Sequence, residues 1–169
     1  MMLSNCRQRL QAIRDLRVGD VLFFGSYKKR PRGGDYDFVL DTVFVIRERF
    51  EYKTDLRFRR AAGVTRQHRK FVFDRIRDLI PADGFTLYKG AMRSERSTHF
   101  SWVPCKSAAG GMGQSQFSRP RINQLFGITE PNPRRAITEL SVPTRKAWEK
   151  VTSHCLDLGL DLAVRVSLG

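Results

Sequence analysis

The chain has 169 residues, 31 Lys plus Arg against 17 Asp plus Glu, and a formal charge of +14. No apolar run approaches the ~18 residues a membrane-spanning helix needs, so a span is not expected. Three cysteines far apart, Cys6, Cys105 and Cys155, fit neither a disulfide framework nor a zinc knuckle, and the expected compartment is the reducing cytoplasm. Met1 to Arg7 carries no apolar core of a signal peptide. Most of the cations are arginine, which suits bidentate contact with phosphate, and charge of this size on a small chain points to a polyanionic partner, nucleic acid first.

In chain order, Ser4 to Leu16 has the spacing of a short amphipathic helix, with Leu3, Cys6, Leu10 and Ile13 on one face. Val18-Gly-Asp-Val-Leu-Phe-Phe-Gly-Ser26 and Asp37-Phe-Val-Leu-Asp-Thr-Val-Phe-Val-Ile46 are apolar, rich in aromatic and β-branched residues and bounded by turn residues. They read as two neighbouring strands, paired antiparallel. Lys28, Lys29, Arg30 and Arg32 concentrate charge in the loop between them, where glycines let a backbone approach an anion.

Asp41 stands inside the second apolar run. A buried carboxylate without partners costs several kcal/mol, so Asp41 is expected either to be hydrogen-bonded in the fold or to line a pocket.

Residues 47–77 hold eleven Lys or Arg against four Asp or Glu, with Phe50, Tyr52, Phe58, Phe71 and Phe73 interleaved. Single-stranded nucleic acid is bound by that mixture of rings and cations. A helix is expected over 66–80, closed by Pro81. Phe85 to Gly90 and Thr98 to Cys105 alternate as strands do, the second ending near Pro104. Ala108 to Arg121 reads as a flexible loop; Gly110, Gly111 and Gly113 lack the rest of a Walker A or dinucleotide fingerprint, while Arg119 and Arg121 follow as anion contacts. Ile122 to Phe126 suggests a helical turn. Thr144 is expected to cap a helix with Trp148, Val151, Cys155 and Leu158 inward and Gly159 as its stop. Leu160 to Leu168 reads as a closing strand.

No specific catalytic constellation is present. His68, His99 and His154 are isolated, and Cys105 and His99 would stand ~20 Å apart on an extended strand. Asp41 as a base and Cys105 as a nucleophile are the weak catalytic candidates. No metal site or cofactor is expected.

The helix leading into Leu16-Arg-Val-Gly-Asp-Val-Leu-Phe-Phe24, the long strand Phe38 to Ile46 and Trp102 on a later strand resemble the PUA-like superfamily, which includes EVE, ASCH and YTH-type domains. The Phe38 to Ile46 run also looks like nucleotide-modification-associated proteins of bacteria and phage. The Gly-x-Lys-x-x-Glu signature of ASCH proteins is absent, and so is the strand that usually precedes the first helix. The resemblance implies an α+β fold with a small mixed, partly closed β-barrel and flanking helices. It covers about the first 105 residues of a chain read as a single domain over 1–169, with a Gly/Pro-rich loop region at 106–135 and a C-terminal helix and strand at 136–169.

The expectation is a nucleic-acid-binding domain, DNA or RNA, with a modified base or nucleotide in a DNA modification or defence system as its narrower form. Ser26, Asp41, Thr42 and Trp102 would line a base or nucleotide pocket. Lys28, Lys29, Arg30, Arg32, Arg119 and Arg121 would hold phosphates. The alternatives are an enzyme acting on nucleotides or DNA bases and a basic protein-interaction module.

Overall fold

A computed structural model describes residues 2–4, 11–31, 35–51, 86–93, 98–106, 115–129 and 138–163. The fold is α+β, with antiparallel strand pairing throughout the described residues. Its strands are β1 (Met2–Ser4), β2 (Val21–Lys29), β3 (Tyr36–Glu51), β4 (Thr86–Gly90), β5 (Val103–Lys106), β6 (Ser115–Phe117) and β7 (Leu160–Ala163). Its helices are α1 (Gln11–Arg14), α2 (Arg119–Phe126) and α3 (Thr144–Asp157). The described residues show no closed barrel.

The chain forms two compact units: 1–19 with 46–90, and 20–45 with 91–169. Strand β3 supplies its first ten residues to the larger unit and its last six to the smaller.

In the larger unit, β2 and β3 form the expected antiparallel hairpin, running from Val21 opposite Val45 to Lys29 opposite Tyr36. On the other side of β3, Phe38, Val39 and Leu40 pair with Phe117, Gln116 and Ser115. Next along that edge, Val43 and Trp102 exchange two backbone hydrogen bonds of 2.9 Å. The Ser101 hydroxyl then accepts from the Val45 N–H at 2.9 Å. This half of β3 is therefore a central strand. Its successive residues Val43, Phe44 and Val45 are all buried, so both of its faces are covered, which explains its near-continuous apolar sequence.

The core beneath β3 gathers Leu40, Val43, Val45, Trp102 and Phe117 against Ile122, Leu125 and Phe126 of α2 and Ala147, Trp148, Val151 and Cys155 of α3. Helix α3 buries the face its spacing predicts, with Leu158 packed at the margin. Its first helical residue is Thr144, and Pro143 takes the capping position without a side-chain hydrogen bond, so the expected threonine cap is not formed. Gly159 ends it at φ +71°, a conformation that favours glycine. The stretch 115–121, expected as loop, contains β6 and the start of α2. Pro120 in the first turn loses nothing there, since N–H groups at a helix start have no partner within the helix. The closing strand is observed at Leu160–Ala163, paired with β5.

In the smaller unit, β4 pairs with β1 and with the end of β3. Met2–Ser4 is a strand that precedes the first helix, so the strand read as absent from the sequence is present. Within 4–16 the described helix is Gln11–Arg14, which corrects the expected helix from Ser4 to Leu16 at its start. Tyr88 is buried, and its hydroxyl donates to the Ile13 carbonyl at 2.5 Å, tying β4 to α1. Of the basic stretch, residues 47–51 form the end of β3, and the rest, with the expected helix over 66–80, lies outside the described residues.

Candidate functional site

The hairpin end and the start of α2 bring together cations that are far apart in sequence. Arg30 closes the hairpin: its backbone N–H donates to the Asp35 carbonyl at 3.1 Å. Its guanidinium donates to Asp37 Oδ1 through Nε at 2.9 Å and Nη2 at 2.6 Å. Gln116 Nε2 donates to Asp37 Oδ2 at 2.6 Å. Asp37 is almost fully buried, so its charge survives only because both oxygens are bonded. The Arg30 hydrogen bonds hold the Asp37 carboxyl below its usual range despite burial, and the same contact raises Arg30.

A carboxyl depressed in the fold stabilises above its unfolded pKa of about 3.9, and that contribution disappears as pH falls through the lower folded value. Thermal melts between pH 7 and 2.5 are expected to show a loss of stability below about pH 4 that is smaller in D37N, which lacks the Asp37 contribution. D37N itself is expected to cost about 1–3 kcal/mol at neutral pH, since one oxygen that accepts from Arg30 or Gln116 becomes a donor.

Lys28 and Lys29 are exposed on β2, and no ion pair engages them among the described residues. Arg119, at the start of α2, places Nη1 3.9 Å from Asp35 Oδ1, so it stands beside the hairpin end. Arg119 is thus brought to the end of the hairpin that carries Lys28, Lys29 and Arg30, where Lys28 and Lys29, being successive in β2, project to opposite faces of the strand. Arg121 is placed differently. Its Nη2 meets His154 Nδ1 at 2.8 Å, and Nη1 donates to Gln124. Burial first, and then the Arg121 charge, push His154 below its ordinary pKa, which suits an imidazole that accepts from a guanidinium. Arg121 ties α2 to α3, and the structure does not place it with the exposed cations. Arg32 lies outside the described residues.

The residues expected to form a base pocket are not brought together. Trp102 is fully buried in the core. Thr42 is half-buried, and Asp41 is exposed. The register explains Asp41: Phe24 faces Thr42 and Gly25 faces Leu40, so Asp41 has no partner opposite and is the extra residue of a β-bulge. The bulge turns it to solvent while Leu40 and Val43 on either side remain in the core.

A different concavity exists in the same unit. It is a cleft of about 390 Å³ between the hairpin, α2 and the segment after it. Four rings wall it: Phe23 and Tyr27 of β2, Phe38 of β3 and Phe126 of α2. Ile122, Ile128 and Leu140 add aliphatic surface, and Ser26 and Thr138 add hydroxyls. Among the described residues, none that lines the cleft is charged. Phe23 meets Phe126 edge-on at 5.0 Å between centroids, and Tyr27 meets Phe38 at 5.5 Å. Of the four expected pocket residues, only Ser26 lines this cleft. The rings do have a signal in the sequence: Phe23, Gly25 and Tyr27 alternate, and alternation places both rings on one face with a gap between them.

Asp41 and Cys105 do not meet either. Cys105 is half-buried on β5 opposite Asp161, and His99 lies against Trp148 and Glu149, its Nε2 3.6 Å from Glu149 Oε1. Asp41 does not line the cleft. The loop around Gly110–Gly113 lies outside the described residues. Among the described residues, no three His, Cys, Asp or Glu side chains are grouped as a metal site, and no helix is long and apolar enough to cross a membrane.

Comparison with protein-family models, with curated proteins and with solved structures returned no match. The fold and site define a basic α+β protein with a cleft walled by aromatic rings and a cationic hairpin end.

Proposed function

We propose that this chain binds nucleic acid, with phosphates held by Lys28 and Lys29 on the hairpin and Arg119 on α2. The observation that carries the reading is the approach of Arg119 to the hairpin end, at 3.9 Å from Asp35, on a chain of net charge +14. Cations some 90 residues apart in sequence then share one surface, as those along a phosphate backbone do. Arg30 is held by Asp37 and shapes the surface more than it neutralises a ligand. The narrower proposals, a PUA-like plan and a modified-base reader in a DNA modification or defence system, rest on the sequence resemblance alone.

Fluorescence anisotropy with single-stranded oligonucleotides over a salt series tests the reading. The logarithm of the binding constant is expected to fall linearly with that of salt. Replacing Lys28 and Lys29 together by alanine is expected to flatten the slope by about 1.4, near 0.7 for each single-strand phosphate that is no longer neutralised. Absence of binding at low salt would overturn the proposal.

A further inference from the structure

We propose that the cleft of the larger unit receives one unstacked base, so that the protein selects unpaired nucleic acid over duplex. The inference rests on the nucleic-acid reading above and names the part of the ligand that enters the fold.

The chemistry of the walls favours a base. Among the described residues they are mostly rings and aliphatic side chains, none of them charged, which suits a neutral planar group and leaves phosphate outside. Every base presents a π-face that can stack on Phe23, Tyr27, Phe38 or Phe126. Among the described lining residues, Ser26, Thr138 and Tyr27 carry hydroxyls, each able to donate or accept, as the edge of a base requires.

Position points the same way. Ser26 is exposed at the cleft, and Lys28 lies two residues further along β2, roughly 7 Å away on extended geometry. A base in the cleft therefore leaves its own backbone beside exposed cations. Charge complementarity at the rim favours a nucleotide over the side chain of a neutral peptide. The volume of about 390 Å³ lies within the range of small-ligand sites.

The backbone itself keeps the space open. A Cβ at Gly25 would stand 2.5 Å from Cζ of Phe38 and 2.2 Å from the Val39 carbonyl oxygen. Glycine lets the Phe38 ring lie across the strand as a wall of the cleft. A base inside a duplex is stacked on both faces and cannot enter without being extruded.

The test uses two strands of equal length, one with thymine bases and one fully abasic, at the same salt. Binding is read by anisotropy and by NMR of the Ile122, Ile128, Leu140 and Thr138 methyl groups. The base-bearing strand is expected to bind about tenfold tighter and to shift those methyls. The abasic strand is expected to bind without shifting them. S26W, placed at the mouth, is expected to lower the affinity for the base-bearing strand to the abasic level. Equal affinity for both strands with unmoved methyls would overturn the base site and leave the nucleic-acid reading standing. Failure of both strands to bind would overturn both. Methyl shifts induced only by an acidic peptide would overturn the base in favour of a peptide ligand.

Discussion

Alanine in place of Gly25 is expected to destabilise the protein by about 2–3 kcal/mol, and valine by more, although the residue is exposed. The ordinary effect has the opposite sign: glycine within a strand is worse than alanine by about 0.5–1 kcal/mol, because it loses more backbone freedom. Here the added methyl would meet backbone, the Val39 carbonyl oxygen at 2.2 Å, as well as the Phe38 ring. A ring can turn, but a paired strand cannot move by an ångström without losing its ladder. The substitution therefore separates the two effects by sign. Urea denaturation of G25A measures it, and a gain in stability would show that the hairpin yields at the bulge. Because Phe38 must shift into the cleft to make room, G25A is also expected to lose the base-dependent share of binding.

The second large effect is at Trp102. W102A is expected to cost about 3–5 kcal/mol, as large aromatic truncations in cores do. W102F should cost only about 1–2 kcal/mol. The indole Nε1 is buried with no hydrogen-bond partner among the described residues, and phenylalanine removes that unsatisfied donor along with part of the ring volume. Folded W102F is expected to bind nucleic acid like the wild type at every salt concentration. Loss of base-dependent binding with unchanged stability would return Trp102 to a ligand site. Denaturation and anisotropy on the same preparation decide between these outcomes.

Much of the fold is legible where local pattern and burial agree. The hairpin of β2 and β3, the strand at Thr86–Gly90 and the buried face of α3 all follow from apolar spacing. A polar residue in an apolar run is a poorer guide, because it need not mark a pocket. Asp41 interrupts the pattern because the pairing skips it, and a bulge has no local mark beyond the interruption itself. Ser115–Phe117 resembles loop because three residues carry too little periodicity; their strand character comes from pairing with β3. Trp102 fits a ligand site and a core equally well in sequence, since aromatic residues serve both, and only tertiary placement separates the two. The cationic hairpin is visible in composition. Its proximity to Arg119 is not, since that depends on β6 docking beside β3.

The pairing of β3 with β6 also bears on synthesis. Asp37 and Gln116 are 79 residues apart, so the hairpin emerges from the ribosome well before the strand and helices that cover it. At elongation rates of ~5–20 residues per second, the apolar face of Phe23, Phe38, Leu40 and Val43 waits for roughly 4–16 s. During that interval, charge repulsion between the exposed lysines at the hairpin end is expected to oppose association of one nascent chain with the next. The charge that the proposed function assigns to phosphate contact would thus have a second use before the protein has a core.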